Sequence, residues 1–346
     1  MTALDWTIVA LRVAVPALTL PVLVIPLTWL ERRGAAFIQD RVGPNRVGPF
    51  GLFQAVADMV KMFTKEAVTP SSVDRTLYYL APAIAVFSAL STFAVVPFGP
   101  TLKIDGREIP LIGADVNIGI LYVFAMTSLS VYAIVLAGWA SNNKFSLMGG
   151  IRSSAQIISY ELAMTTAAAG VILAASSFRL TDVVAMQHGT WLGFVPRWNI
   201  FLQPLGFLIF FVSAFAETNR LPFDLPEAEA ELVAGYHTEY SAMRFGAFQM
   251  AEYVNVVVAS AITATLYFGG WSLPGFHPKS LLGVLLSVLV FTLKTGLLVC
   301  VFMWVRWTLP RFRYDQLMKL GWKALLPLGL VNLFWVAALE IWRTSR

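Results

Sequence analysis

The feature that most restricts this chain is the recurrence of apolar runs long enough to cross a bilayer. A hydrocarbon core of ~30 Å needs about 20 residues of helix. Runs of that order occur at roughly 6–30, 77–97, 116–138, 154–175, 200–218, 246–269, 281–305 and 323–342. Short segments between them hold nearly all the charge. Only 13% of residues are charged and 58% are hydrophobic, about half the charge density of an ordinary soluble domain. The expected fold is all-α: a polytopic integral membrane protein, residues 1–346 forming one membrane domain with about eight transmembrane helices. The first run lacks a basic leader and exceeds a signal-peptide core, so it is expected to stay as a span.

Lysine and arginine are distributed unequally. Sixteen stand after the odd-numbered spans and seven on the opposite side. Basic loops face the cytoplasm, or the matrix in an organelle, so the odd loops are expected there; the expected location is a bacterial inner membrane rather than a mitochondrial one. The net charge of +5 sits beside the apolar runs and includes no basic tail, so nucleic acid is not an expected partner. One cysteine, Cys300, can neither hold an iron–sulfur cluster nor close an internal disulfide. His188, His237 and His277 lie in three separate loops without ligand spacing, and no metal site or redox centre is expected.

Two odd loops carry unusual patterns. In the first, two Gly-Pro steps at 43–44 and 48–49 precede a segment over 50–66 with two stripes. Leu52, Val56, Met59 and Phe63 form the apolar stripe; Gln54, Asp58, Lys61 and Lys65 form the polar one. A segment so short and charged, with opposed faces, predicts a helix lying in the membrane interface. It serves either as a connector or as a floor across which a lipid-soluble substrate passes, and periodicity does not separate the two. In the third odd loop, over 216–239, Glu217, Asp224, Glu227, Glu229 and Glu231 crowd together with Arg220. Crowded carboxylates raise one another's affinity for protons. That fits a proton relay; an acidic loop that docks a basic partner is the plainer reading.

Charges also lie inside the spans. Glu161 and Glu252 are each expected about 10 Å inward from the cytoplasmic end, and Lys294 lies near the middle of its run. A charge at that depth needs a polar surrounding or a partner. Structural anchoring between helices competes with a proton path entered from the acidic loop. Arg12 and Lys294 are either counter-charges or snorkelling side chains.

A set of strings then brings a family into view. Glu31-Arg32 precedes Arg41-Val42-Gly43-Pro44-Asn45, and Phe63-Thr64-Lys65-Glu66 follows. Ile158-Ser159-Tyr160-Glu161-Leu162, the stretch 216–224 (AETNRLPFD) and Ala251-Glu252-Tyr253 come next, then the stretch 309–317 (LPRFRYDQL). Together they resemble the quinone-site membrane subunit of proton-pumping NADH:quinone oxidoreductase, respiratory complex I, the family that includes mitochondrial subunit 1. The likeness runs from the first span to the last; the stretches 100–115 and 179–197 carry no matching string.

The resemblance implies a subunit that forms much of a ubiquinone channel and couples quinone reduction to proton translocation. It implies no cofactor on this chain, with NADH, FMN and iron–sulfur clusters on partner subunits. Implied partners are the peripheral-arm quinone-site subunits, the small and antiporter-like membrane subunits, ubiquinone and the lipid bilayer. By position, Arg32, Arg41, Asp58, Lys61, Lys65 and Arg220 would line the channel and junction. Glu161, Glu217, Asp224, Glu227, Glu229, Glu231 and Glu252 would form the proton path. The equivalent subunit of a hydrogenase-type complex is a neighbouring expectation, and a stand-alone ion channel or transporter is one of another class.

Overall fold

The structure, a computed structural model, describes residues 3–104, 107–191, 195–224, 233–276 and 280–345. Its long helices are α1 (Ala3–Ile38), α3 (Arg75–Thr92), α4 (Gly119–Ala140) and α5 (Lys144–Ala175). After the short α6 (Leu180–Met186), α7 (Asn199–Leu202) and α8 (Pro204–Glu217) come α9 (Ala242–Tyr267) and α10 (Leu281–Thr308). The chain ends in α11 (Tyr314–Lys319) and α12 (Leu326–Thr344), joined by a π-helical turn over Leu320–Leu325. Among the described residues seven helices are long and apolar enough to cross a membrane. Among the described residues strand is confined to two small antiparallel hairpins, Leu102–Ile104 with Arg107–Ile109 and Thr190–Trp191 with Val195–Pro196.

The fifth expected run, 200–218, is divided. Gln203 is extended, with φ −139° and ψ 66°, and Pro204 opens α8. A proline without an N–H suits a first helical position and pushes the preceding residue out of the helix. The 14-residue α8 is about 21 Å long, well short of a full crossing. A second difference concerns α5, which begins at Lys144 rather than near 154. Asn143 supplies its cap, the side chain accepting from the Phe145 N–H at 3.0 Å. Glu161 therefore lies about 25 Å along the helix from its start.

α5 is the hub, packing on α4, α8 and α12, while α3 packs on α4 and α9. Close approach depends on small residues. A Cβ on Gly149 would fall 2.7 Å from the Gly235 Cα, and Gly235 itself has φ +61°. Glycine at both positions lets the turn Gly235–His237 sit directly on α5.

The interfacial helix α2 spans Gln54–Thr64, shorter than the expected 50–66, after a separate 3₁₀ turn at Pro49–Gly51. None of its residues is buried within the chain, and Leu52, Val56, Met59 and Phe63 are all exposed. Both charges left unassigned above bind carbonyl groups. Arg12 donates to the Ile112 oxygen at 2.7 and 2.9 Å. The Lys294 ammonium donates to the carbonyls of Phe268, Gly270 and Ser272 at 2.7, 2.9 and 2.8 Å and sits 4.5 Å from the Trp198 ring. It thereby uses all three of its protons on the turn that ends α9.

Candidate functional site: a buried charge cluster and a line of carboxylates

Where α1 meets the turn after α8, Glu31 is buried, the residue as a whole only 4% exposed. Arg220 donates to both its carboxylate oxygens at 3.2 Å, and Arg306, near the end of α10, donates to one of them. The Arg220 guanidinium also lies 4.3 Å from the Tyr253 ring centroid. Buried charges persist when paired and hydrogen-bonded, and here one carboxylate and one aromatic face hold two guanidiniums. The Arg220 Nε has no hydrogen-bond partner among the described residues, and Arg220 borders a small cavity with Glu31, Tyr253 and Arg306. Nearby, Asp224 pairs with Arg311 at 3.2 Å.

Burial pushes the Asp224 carboxyl up to about 6, partly opposed by the Arg311 guanidinium. The folded chain thus holds this proton more tightly than the unfolded chain, whose ordinary value is 3.8. Stability from Asp224 is then fully present at low pH and is lost as pH rises through about 6. Thermal unfolding of wild type and Asp224→Asn at about pH 5 and about pH 7 checks this. Relative to the variant, wild type should lose stability over that interval; a constant difference would contradict it.

On the other side of the same turn, three glutamates lie in sequence through the helices. Glu252 of α9 accepts a hydrogen bond from the Tyr236 hydroxyl at 3.0 Å. A cavity of about 30 Å³ lies between Glu252 and Glu217, lined also by Ser130, Asn219, Tyr236 and Asn255. A second, of about 20 Å³, lies on the far side of Glu217 against Thr127, Met164 and Asn255. About 10–15 Å³ of such volume admits one water, so the first has room for about two or three and the second for about one or two. Glu161 interacts electrostatically with Glu217 and accepts from the Ser128 hydroxyl of α4. Asp224 is likewise within electrostatic reach of Glu252.

The remaining expected residues fall elsewhere. Arg32 pairs with Asp58, which also accepts from Gln54 at 3.1 Å. These two join Lys61, Met62, Lys65 and Phe245 around an open hollow of about 340 Å³. Arg41 stands apart, donating to Gln39 at 2.7 Å. Glu227, Glu229 and Glu231 lie outside the described residues. Sequence reasoning gave no role to Glu31, Arg306, Tyr236, Tyr253 or Ser128. Glu31 and Tyr253 stood inside matched strings; nothing in the sequence pointed to Ser128.

A family model described as NADH dehydrogenase matches residues 11–337. The chain belongs to this family. It is 50% identical over 309 residues to the first of the H subunits of NADH-quinone oxidoreductase from Cytophaga hutchinsonii, covering 88% of this chain and 89% of that one. It is 48% identical over 341 residues to the corresponding H subunit of NADH-quinone oxidoreductase from Geobacter metallireducens, covering 98% and 99%. NADH-quinone oxidoreductase subunit 8 of Rhodothermus marinus is 49% identical over 344 residues, covering 96% and 97%. The stretch matched by the NADH dehydrogenase family takes in both the charge cluster and the carboxylate line.

Proposed function

We propose that this chain is the membrane subunit of a proton-translocating NADH:quinone oxidoreductase that shapes quinone entry and links quinone reduction to proton movement. The observation that carries the reading is that Glu252 and Glu217 share one small cavity and Glu217 borders a second, with Asp224 in electrostatic reach of Glu252 and Glu161 of Glu217. Carboxylates spaced by waters and hydroxyls can pass protons in short steps.

Two electrons placed on a quinone create negative charge that protons must balance. A buried carboxylate feels such a change more strongly than one in water, because the surrounding dielectric is low. Under this reading quinone approaches over α2, past Arg32, Asp58, Lys61 and Lys65, with Arg220 and Glu31 bracing the junction. Arg41 stands at its margin. Glu161, Glu217, Asp224 and Glu252 relay the protons, and Glu227, Glu229 and Glu231 would extend the path. The loops that carry these groups face the cytoplasm of a bacterial inner membrane, as their lysines and arginines favour. NADH, FMN and iron–sulfur clusters reside on peripheral partner subunits, and antiporter-like membrane subunits receive the signal.

Affinity isolation of the tagged chain from its own membranes in mild detergent tests the assignment. NADH-dependent quinone reduction should copurify with it, together with iron–sulfur subunits. A chain that is isolated alone and moves an ion in vesicles would overturn the proposal.

A further inference from the structure

The turn that leaves α8 has to present Glu217 to the two cavities and, seven residues on, Asp224 to Arg311. Its backbone is poorly suited to hold that spacing alone. Asn219 adopts φ +49°, a left-handed conformation that asparagine tolerates at some cost. Only a few internal hydrogen bonds brace it, among them Arg220 N–H to Phe215 at 3.2 Å and Phe223 N–H to Arg220 at 2.8 Å.

Gln156 of α5 lies against this turn with no exposed surface. Its Nε2 donates to the Ala216 carbonyl at 2.9 Å and to the Phe223 carbonyl at 2.8 Å. Those are the peptide groups immediately preceding Glu217 and Asp224. A longer contact, 3.4 Å, reaches the Asn219 Oδ1, which also accepts from Ser153 at 3.4 Å. The Gln156 Oε1 is buried without a partner among the described residues. With carbonyl oxygens on its other face, the amide has only one workable orientation, since a flipped oxygen would meet two acceptors. Leaving one buried acceptor unsatisfied costs free energy, and the side chain accepts that cost while clamping both ends of the turn.

We infer that Gln156 is a positioning residue whose single amide sets the separation of Glu217 and Asp224. The inference rests on the carboxylate reading above. Gln156 acts through the two acids: it holds the peptide planes from which their side chains depart, and so fixes where Glu217 meets its two cavities and where Asp224 meets Arg311. A proton step across a misplaced water is slow, and displacements of about 1 Å can cost ~10²-fold in rate.

The test is a double-mutant cycle in the assembled complex, using Gln156→Met, which keeps length and volume and removes the donors. Gln156→Met alone should lower NADH:quinone turnover by about tenfold and displace its pH profile. In a Glu217→Gln background it should cause no further loss, because the relay that the two acids form is already interrupted. Multiplicative losses with an unmoved pH profile would overturn the inference and leave the carboxylate reading intact. Wild-type turnover in Glu217→Gln alone would instead remove that reading, and the inference with it. If Gln156→Met does not assemble, Gln156→Asn carries the same cycle with the amide withdrawn by one methylene. Failure of both to assemble would reduce Gln156 to a packing role and overturn the inference.

Discussion

Glu31→Gln is expected to destabilise the assembled protein by about 3–5 kcal/mol, the range for removing one partner of a buried ion pair. The carboxylate is the shared counter-charge of Arg220 and Arg306, with side-chain exposures of 6%, 8% and 27% for Glu31, Arg220 and Arg306. Glutamine keeps the shape but leaves two guanidiniums facing each other across a cavity that is too small to hydrate them. The Tyr253 face offsets only part of this, since a cation–π contact contributes about 0.5–2 kcal/mol. Arg306 retains some access to solvent and can turn outward; Arg220 cannot. Thermal unfolding of the detergent-solubilised complex, wild type against variant, measures the effect. Arg306→Met should be milder, because Glu31 keeps Arg220. Unchanged stability in Glu31→Gln would mean that the cluster is hydrated, and would remove the argument that Glu31 organises the junction.

The second large effect is expected at Glu217, the residue that borders both water-sized cavities. Glu217→Gln preserves volume and hydrogen bonding but can neither take up nor release a proton at neutral pH. Assembly should be normal, since Glu217 has no salt-bridge partner among the described ion pairs. Coupled NADH:quinone turnover should fall by about tenfold or more, equivalent to ~1.4 kcal/mol or more on the rate-limiting barrier. Glu31→Gln and Glu217→Gln therefore separate the two halves of the site, one acting on stability and the other on turnover.

Much of the fold was legible because a bilayer imposes one strong rule on a sequence. A helix must hold about 20 apolar residues, and the runs that became α3, α4, α9 and α10 met it openly. The run at 200–218 met it too, yet a break at Gln203-Pro204 divides it. Proline is tolerated within spans such as α1, which contains Pro16, Pro21 and Pro26, so composition did not reveal that Pro204 starts a helix. The start of α5 at Lys144 was hidden for another reason: its first turns are polar and glycine-bearing, and only the Asn143 cap marks them.

The site was legible as residue types and obscure as geometry. Glu217 announced itself as an acid at the end of an apolar run. Its meeting with Glu252 around one cavity depends on how α4, α8 and α9 pack, which no local pattern encodes. The Glu31 cluster was harder still. Its partners stand 189 and 275 residues away in sequence, and in the sequence Glu31 looks like one charge among several at the end of α1. Lys294 posed the opposite problem. A lysine within a span suggested a counter-charge or a snorkelling side chain, but three carbonyls and the Trp198 face satisfy it.

The central claim is that carboxylates in this chain change protonation when quinone is reduced. Redox-induced infrared difference spectroscopy of the purified complex reads that change directly, through the carbonyl stretch of protonated carboxyl groups. Wild type poised between oxidised and reduced quinone should show a carboxyl band that disappears or shifts in Glu217→Gln, with the bands of the quinone itself retained. Identical carboxyl bands in the two proteins would contradict the account.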